Sequence, residues 1–379
     1  MNSQIQKTRV LHVVGRMHFG GVENWLMSLL RKADHTLLTI DFCVAKLQKG
    51  CYDDEIIALG GKILPCTLQP ILLYQHRLSR LLKENRYDVV HSHGWLFSGL
   101  VLQAAHKCGV PVRIAHSHNT KGQHASSLYR TIYAAYMRYL IKKHATHFIG
   151  CSTQAAAALF GSDWQQCATA KVVYCSINVE CFRPEQKIDV NKSSFGIPYN
   201  GVVIGHIGSF RKQKNHTFFI DIAAEIVKRE PRAYFFFAGD GPLRGEIEEK
   251  AKRLGLYDHM IFGGNRQDVP ELLMNVYDIL LFPSLYEGMP LTLVEAAAAG
   301  LRAVCSDTIT PEATDVIPDA FTRLSLNSSV ATWADKVLEI VKKGRLNHDL
   351  SYKIVSNSHF SVNYSLDELL KIYTSSKEK

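Results

Sequence analysis

Short apolar runs alternate with helix-sized stretches along the first half of this chain, and this pattern constrains the fold more than any other feature. Each run is too short for a buried helix and is followed by a segment long enough for one. Strands separated by helices are typical of a parallel, doubly wound sheet. We therefore predict strands at Arg9–Val14, Leu38–Val44, Asp88–His91, Val110–His116 and Ala145–Gly150.

The same pattern restarts near residue 201, after a polar linker at Pro184–Asn200. The second series of strands is predicted at Val202–Ile207, Tyr234–Ala238, Met260–Phe262, Asp278–Phe282 and Arg302–Cys305, where the set closes. The helices between them are predicted at His216–Arg229, Leu243–Leu254, Val269–Val276 and Thr292–Ala299.

Two such series predict an α/β protein with two Rossmann-like domains facing each other across a cleft. The expected domains are residues 1–183 and 200–359, and a last helix at Ser365–Tyr373 could pack on either one. Ligands of such sheets bind at the carboxyl ends of the strands. The cleft is therefore the expected site.

Composition narrows the class of protein. With 379 residues, 46% of them hydrophobic and 21% charged, the chain is globular, which excludes disordered and fibrous proteins. No apolar run approaches the ~20 residues of a membrane-spanning helix, and the polar start lacks the apolar region of a secretory signal. Nine scattered cysteines without a CxxC pair suit reduced thiols, so we expect a cytoplasmic protein.

The positive charge is concentrated in the first half. Residues 1–185 carry 21 Lys and Arg against 11 Asp and Glu, although the whole chain has a net charge of only +9. A basic face attracts phosphates, nucleic acid or an anionic membrane, and a solvated surface is the alternative. No recognised nucleic-acid module is visible, so we do not expect nucleic acid as a partner.

Two carboxylates flank the start of one predicted helix. Glu287 lies in the loop before Pro290, and Glu295 lies about one turn into the helix. Backbone amides at Leu291 and Thr292 would be free to meet an anion there. The combination suits a ligand that carries both hydroxyls and phosphate. The alternative is that Glu295 only complements the helix dipole.

Two loops that follow strands have phosphate-binding character. After Ile207, Arg211, Lys212 and Lys214 place three cations within four residues, which could neutralise a diphosphate without a metal. After the first strand, Gly20 and Gly21 would let the backbone approach a ligand closely. A solvated loop and a simple turn are the respective alternatives.

Two His-x-His pairs end predicted strands. The spacing of His91 with His93 and of His116 with His118 puts each pair on one face of its strand. Imidazole is a common zinc ligand, but no acidic residue stands close to the second pair. We therefore predict no metal site and favour hydrogen bonding to a substrate hydroxyl or a structural role.

Taken together, these segments resemble the retaining, GT-B-fold glycosyltransferases of family 4, particularly the bacterial capsular and exopolysaccharide enzymes. The resemblance spans nearly the whole chain. It rests on GGVENWL near the start, VVHSHGWLFSGL (89–100), RIAHSHNT (113–120), GSFRKQKNHTFFI (208–220), FFFAGDGPL (235–243) and DILLFPSLYEGMPLTLVEAAAAGL (278–301).

The resemblance implies roles for the residues of the second domain, which would hold a nucleotide-sugar donor. Glu295 would bind the ribose hydroxyls and Glu287 the transferred sugar, while Lys214 would bind phosphate. The arginine that usually follows the glycine is here Ser209, and Arg211 is expected to replace it. By position, the remaining donor contacts would come from Leu291 and Thr292 at the diphosphate and from Asn265 and Arg266 by the base.

The resemblance also assigns the first domain to the acceptor. Gly20 and Gly21 match the loop that approaches the diphosphate, and His118, or failing it His116, matches the histidine near the reacting centre. The final helix, within residues 360–379, would cross back to this domain. The family works without a metal or other cofactor, mostly with UDP-sugars and with retention of configuration.

Acceptors in this family are commonly lipid-linked glycans at the inner membrane face. The aromatic and basic segment Ser126–His144 is therefore predicted to be a helix that rests on anionic lipid, with an ordinary solvated helix as the alternative. Other functions that the sequence allows are a GT-B epimerase or hydrolase and a catalytically idle nucleotide-sugar-binding protein.

Overall fold

The computed structural model describes residues 7–120, 127–185 and 189–375. Contacts between Cα atoms divide the chain into two compact units. The first contains the described residues up to Ser176 and those from Val362 onward, and the second is Ile177–Ser361. Each unit is a parallel sheet with helices, as the alternating pattern predicts, and the predicted α/β class is confirmed.

The first unit has a sheet of seven parallel strands in the order β3-β2-β1-β4-β5-β6-β7. The strands are β1 (Thr8–Val14), β2 (Leu38–Val44), β3 (Ile63–Pro65), β4 (Val89–Ser92), β5 (Val112–Ser117), β6 (His147–Gly150) and β7 (Ala170–Val172). The helices between them are α1 (Gly21–Lys32), α2 (Asp53–Ala58), α3 (Ile71–Asn85), α4 (Ser98–Lys107), α5 (Leu128–His144) and α6 (Thr153–Phe160).

The second unit has a sheet of six parallel strands in the order β10-β9-β8-β11-β12-β13. The strands are β8 (Val202–Ile207), β9 (Ala233–Ala238), β10 (Met260–Phe262), β11 (Ile279–Phe282), β12 (Ala303–Ser306) and β13 (Phe321–Leu324). The helices are α7 (His216–Val227), α8 (Arg244–Arg253), α9 (Val269–Glu271, continued by a π-helical turn at Leu272–Val276), α10 (Leu291–Ala298), α11 (Val330–Lys343) and α12 (His348–Ser356). Short 3-10 turns lie at Trp95–Phe97, Trp164–Gln166, Val179–Phe182, Lys192–Phe195, Lys212–Lys214, Tyr257–His259, Pro311–Ala313 and Pro318–Ala320.

The central strands are apolar on both faces because helices cover both sides of a doubly wound sheet. In the second unit the interior includes Phe235 and Phe237 of β9 and Ile279 of β11, packed with Trp333 of α11. In the first unit Leu11, Val90 and Ala115 of neighbouring strands are fully buried and belong to one core cluster. Such strands are recognisable in sequence as near-continuous apolar runs.

The prediction that the second sheet closes at Arg302–Cys305 is wrong. A further parallel strand, β13, pairs with β12 from Ala303–Phe321 to Ser306–Leu324. All four residues of β13 are only half-buried. An edge strand of this kind lacks the apolar run by which the inner strands were recognised.

The unit boundary lies earlier than residue 183. Ile177 forms a parallel bridge with Ser361, and the carbonyl of Phe182 accepts a hydrogen bond from His348 Nε2 at 2.9 Å. These contacts attach residues 177–183 to the second unit.

The last helix, α13 (Val362–Tyr373), belongs to the first unit. The indole of Trp25 in α1 donates to Ser365 Oγ at 3.2 Å, and that hydroxyl donates to the carbonyl of Tyr174 at 2.7 Å. Both bonds fasten the helix to residues that precede Ser176. Among the described helices, none is both long and apolar enough to cross a bilayer.

Candidate functional site

The second sheet has a switch point between β8 and β11, where the strand order changes direction. Loops that leave neighbouring strands in opposite directions open a crevice at their carboxyl ends. Residues 208–215 follow β8 and residues 283–290 follow β11. The predicted basic loop and the predicted Glu287 loop are therefore adjacent.

Lys214 and Glu287 form an ion pair at this switch point. Lys214 Nζ lies 2.7 Å from Glu287 Oε1, and the two side chains are only 15% and 8% exposed. Gln213 Nε2 donates to the other carboxylate oxygen at 2.9 Å and to the carbonyl of Tyr286 at 3.0 Å. The Lys214 ammonium also lies 4.7 Å from the centre of the Phe282 ring. The cation is thus held by Glu287 and the ring of Phe282, and Gln213 holds the carboxylate that pairs with it.

Two glycines allow the loops after β8 and β9 to approach each other. A Cβ added to Gly239, whose φ is +145°, would lie 2.2 Å from the carbonyl oxygen of Gly208. A Cβ on Gly208 would lie 2.9 Å from Cε of Lys214. A side chain at Gly239 would clash with the backbone after β8, and one at Gly208 would require the Lys214 side chain to shift.

Glu295 lies in the second turn of α10 and is half-buried. Burial raises the pKa of its carboxyl from 4.5 to about 7. A carboxylate whose ionised form is disfavoured in the free protein suits a ligand that hydrogen-bonds to it.

The start of α10 differs in one respect from the prediction. No described side chain caps this N-terminus, which follows Pro290. The amide of Leu291, however, donates to the carbonyl of Met289 at 3.0 Å. The expectation of a free amide at Leu291 is therefore wrong, because the turn before the helix uses it. Thr292 is half-buried in the first turn.

The remaining predicted donor residues lie in loops of the same unit. Arg211 is exposed just before the 3-10 turn at Lys212–Lys214, and its guanidinium forms no ion pair within the described residues. Arg266 pairs with Asp268 and stacks over the ring of Phe195, 5.3 Å from its centre. Asn265 lies between Gly264 and Arg266 in the loop after β10.

In the first unit, the glycine loop ends at α1. Gly20 precedes the helix, and Gly21 is its first residue. The Glu23 carboxylate folds back against the loop. A Cβ added to Gly20 would lie only 2.3 Å from Glu23 Oε2. Burial raises the pKa of Glu23 to about 7. This residue was not predicted as functional, although its position after two glycines was a signal.

Five histidines, three of them buried and two half-buried, form one cluster in the first unit. They come from three adjacent strands and the residues that follow them: His12, His91, His93, His116 and His118. Burial lowers the pKa of His12 and of His118 to about 3 and brings the pKa of the other three well below 6.5, so the rings are neutral at pH 7.

Neutral imidazoles in this cluster bond to one another in two chains. In one chain, His93 joins His12 (Nε2 to Nδ1, 2.9 Å) and His118 (Nδ1 to Nε2, 2.8 Å). In the other chain, Tyr373 bonds His91 Nδ1 at 2.9 Å, and His91 Nε2 lies 3.0 Å from His116 Nδ1.

The two candidate active-site histidines are next to each other. The rings of His116 and His118 stack with centroids 4.0 Å apart. His116 is fully buried, and its Nε2 has no hydrogen-bond partner in the described part of the chain. His118 lies just beyond the end of β5 and is half-buried. Of the two, His118 is the one that solvent reaches.

Two further members of these sites were not found in the sequence. His12 was hidden inside the apolar run of β1, and only the pairing of His12 with His91 in the sheet brings it to the cluster. Gln213 looked like part of a solvated basic loop, and no sequence signal distinguished it.

Comparisons with known proteins identify the family. A family model described as "Glycosyl transferases group 1" matches residues 187–355, and one described as "Glycosyl transferase 4-like domain" matches residues 59–169. The chain is 35% identical to a protein named "Putative glycosyltransferase EpsF" from Bacillus subtilis (strain 168), over 100% of this chain and 99% of that one.

A more distant relative and a solved structure point the same way. The chain is 26% identical to the Escherichia coli "UDP-Gal:alpha-D-GlcNAc-diphosphoundecaprenol alpha-1,3-galactosyltransferase", over 78% of this chain and 77% of the relative. The fold is similar to that of Anabaena Alr3699/HepE in complex with UDP and glucose, with a TM-score of 0.79, 18% identity and coverage of 97% and 100%. The chain belongs to the GT-B-fold glycosyltransferases of family 4, in the group that makes bacterial capsular and other surface polysaccharides.

Proposed function

We propose that this glycosyltransferase moves a sugar from a UDP-sugar to a hydroxyl of a glycan or lipid-linked glycan, with retention of anomeric configuration. The observation that carries the proposal is the Lys214–Glu287 pair at the switch point of the second sheet, with Glu295 in the adjacent helix α10. A cation and two carboxylates at the carboxyl ends of the strands suit a ligand with a diphosphate between two groups of hydroxyls.

The leaving diphosphate is the group that most needs stabilisation. Departure of the nucleotide builds negative charge on the phosphate oxygen and positive charge on the sugar. Lys214 uses one of its three N–H groups for Glu287, which leaves the others for phosphate. Arg211 and the uncapped N-terminus of α10 add positive potential. Such preorganised cations supply the electrostatic stabilisation of the transition state, and the reaction is proposed to need no metal.

Glu287 and Glu295 are proposed to hold the two sugars of the donor. Glu287 would accept hydrogen bonds from the transferred sugar, and Glu295 from the ribose. Binding of ribose hydroxyls would favour the ionised form of Glu295, whose pKa burial raises to about 7 in the free protein. The leaving phosphate can take the proton of the acceptor hydroxyl, so the proposal includes no separate base.

UDP is the proposed nucleotide. The support comes from the UDP complex of the similar Anabaena structure and from the UDP-sugar in the name of the Escherichia coli relative. Asn265 and Arg266 are proposed to lie beside the base, where the Arg266–Asp268 pair keeps the guanidinium in place.

The acceptor is proposed to bind the first unit. Gly20 and Gly21 would approach the diphosphate, and His118, with His116 behind it, would lie near the reacting centre. A lipid-linked acceptor is supported by the diphosphoundecaprenol substrate in the name of the Escherichia coli relative. Such an acceptor requires contact with a membrane.

Helix α5 is the proposed membrane contact. Its side chains Leu128, Ile132, Tyr136 and Tyr139 recur at helical spacing and are 79%, 62%, 51% and 55% exposed. Lys142 and Lys143 in its last turn are exposed as well, which suits anionic lipid. Ser126, the first residue of the predicted segment, lies outside the described residues.

Vesicle flotation tests this contact. The wild type should float with anionic vesicles and less with neutral ones, and Ile132→Glu should reduce the floated fraction. Tyr199→Glu, at a residue of the second unit that is 98% exposed, should leave it unchanged. Equal recovery with anionic and neutral lipid would refute peripheral attachment.

A transfer assay tests the chemistry. Wild-type protein with a UDP-sugar panel and a lipid-linked acceptor, in EDTA, should form a product whose new linkage keeps the anomeric configuration of the donor by NMR. Lys214→Met should lower turnover about 100- to 1,000-fold, the range for loss of one preorganised donor. An inverted product would overturn retention, and hydrolysis or epimerisation without transfer would overturn the proposed reaction.

A further inference from the structure

Three neighbouring strands of the first sheet are each followed by a side chain that can bind a metal. His118 follows β5, Cys151 follows β6, and Cys175 lies three residues beyond β7. The strand ladder continues past the strand ends, because the amide of Cys151 donates to Ser117 at 2.9 Å and that of Val173 to Gly150 at 3.0 Å. The imidazole nitrogen and the two sulfurs consequently lie within 4.8 Å of one another.

The spacing of these atoms matches a tetrahedral ion. Zinc bonds thiolate sulfur at about 2.3 Å and imidazole nitrogen at about 2.0–2.1 Å, which puts a sulfur and a nitrogen of the same ion about 3.6 Å apart. Cys175 Sγ lies 3.4 Å from His118 Nδ1. Cys151 Sγ lies within 4.8 Å of both atoms, and its thiol hydrogen-bonds with that of Cys175.

The charges also favour an ion of this kind. Cys151 and Cys175 are 1% and 3% exposed. Two thiolates cancel the charge of a divalent ion, so the assembled site is neutral and costs less to bury than an isolated cation. Thiolate and imidazole together select borderline and soft metals such as zinc over magnesium or calcium. His118 is half-buried, so solvent reaches this member of the group.

Hydrogen bonds from other histidines already orient His118, one of the three proposed metal ligands. With a metal on Nδ1, His118 carries a proton on Nε2 and can donate it to His93 Nδ1, 2.8 Å away. His93 Nε2 in turn lies 2.9 Å from His12 Nδ1. Metal-binding histidines are usually oriented by such a bond from the second ring nitrogen.

The all-histidine groups of the same cluster fit an ion less well. In the part of the chain that the structure describes, two other sets lie close enough, His12 with His91 and His93, and His93 with His116 and His118. An ion held by Nδ1 of His93 and Nε2 of His118 would replace the hydrogen bond between those two atoms. In both sets the charge of a divalent ion would stay uncompensated in a buried place.

We propose that His118, Cys151 and Cys175 form a binding site for Zn²⁺ in the first unit, with an exogenous ligand such as water as the fourth donor. The ion is not proposed to take part in the transferase reaction, which is proposed to need no metal. Because His118 is also the residue proposed near the reacting centre, an ion on its Nδ1 would fix the orientation of that ring.

Cobalt titration tests the site without an activity assay. Full-length, tag-free protein, stripped of metal and kept reduced with a phosphine, should bind one equivalent of Co²⁺ with a thiolate-to-metal charge-transfer band and the intense visible bands of tetrahedral cobalt. Zn²⁺ should displace the cobalt and abolish both. Cys175→Ser should remove the charge-transfer band, and His93→Gln should weaken affinity about 10- to 100-fold, as loss of a supporting hydrogen bond does.

Cys43→Ser is the matched control. Cys43 is also buried in this unit and bonds a neighbouring thiol, that of Cys66, but it belongs to none of the described groups of potential ligands. This variant should bind cobalt as the wild type does. X-ray absorption of the zinc-loaded wild type should show two sulfur neighbours and needs no variant, so a variant that fails to fold does not block the test.

Absence of a charge-transfer band in the wild type would overturn the proposal, as would a band that Cys175→Ser leaves intact. Zinc surrounded only by nitrogen and oxygen would also overturn it, because the ion would then sit on the imidazoles alone. Failure of sugar transfer would leave this result unaffected, since the cobalt spectrum does not depend on the donor.

Discussion

Replacement of Glu295 by glutamine should stabilise the protein and weaken its binding of the donor. Burial holds the pKa of this carboxyl at about 7 in the folded chain, against 4.5 for the unfolded one. The folded state therefore keeps a proton that the unfolded state has lost, and stability falls as the pH rises from about 4.5 to 7. Glutamine has no charge to desolvate and should remove this loss.

The magnitude follows from the difference in pKa. A difference of 2.5 units between folded and unfolded states corresponds to at most about 3 kcal/mol at pH 8 and less than about 1 kcal/mol at pH 5. Glu295→Gln should thus raise the free energy of unfolding by up to that amount at pH 8 and change it little at pH 5. It should also weaken UDP binding, because the ribose hydroxyls lose a charged acceptor.

Urea unfolding at the two pH values, followed by circular dichroism, measures this effect. Glu246→Gln removes an exposed carboxylate from α8 of the same unit and is expected to change stability little at either pH. An equal gain at pH 5 and pH 8, or a loss at pH 8, would refute the reasoning. If Glu295→Gln bound UDP as tightly as the wild type, Glu295 would not be part of the donor site.

Two more predictions concern the loops of the same unit. Lys214→Met should destabilise the protein by about 3 kcal/mol, because it removes the ammonium that is ion-paired with the buried Glu287 carboxylate. The double variant with Glu287→Gln should recover most of that stability without recovering UDP binding. Denaturant titration measures the stability and calorimetry the binding, and recovery of both would contradict the assigned role. Gly239→Ala should cost about 1–3 kcal/mol and weaken UDP binding, because its Cβ would meet the carbonyl of Gly208 at 2.2 Å; an unchanged melting temperature would show that the two loops are not held this close.

The inner strands of both sheets could be predicted because burial on two faces leaves a continuous apolar run. The inner strands Leu38–Val44 and Val202–Ile207 have the bounds that were predicted. Met260–Phe262 also has its predicted bounds, although β10 is an edge strand. The edge strands β3, β7 and β13 were missed. Their residues are half-buried or exposed, so each lies in a sequence that resembles a loop.

The site was predictable in its chemistry and less so in its contacts. The spacing of Glu287 and Glu295 around a helix start was visible in the sequence, and so was the basic loop. The pairing of Lys214 with Glu287 depends on β8 and β11 being neighbours, which no local pattern encodes. The engaged amide of Leu291 depends on the turn at Met289, which is equally invisible before the fold is known.

The histidine cluster shows the same limit. His-x-His spacing placed each pair on one face of a strand. Contact between the two histidine pairs depends on the register of β4 against β5. In that register His91 lies opposite Ile114, and Ser92 lies opposite Ala115. The two cysteines beside His118 follow separate strands, about 25 residues apart in the chain, so sequence spacing gave no sign of a shared site.

Calorimetric titration of UDP in EDTA, with the wild type and Lys214→Met side by side, tests the central claim most directly. We expect one UDP site per chain in the wild type, with binding that persists in EDTA. Binding should be at least tenfold weaker in the variant, which corresponds to about 1.4 kcal/mol. No UDP binding by the wild type, or equal binding by the variant, would contradict a donor site built on the loops after β8 and β11.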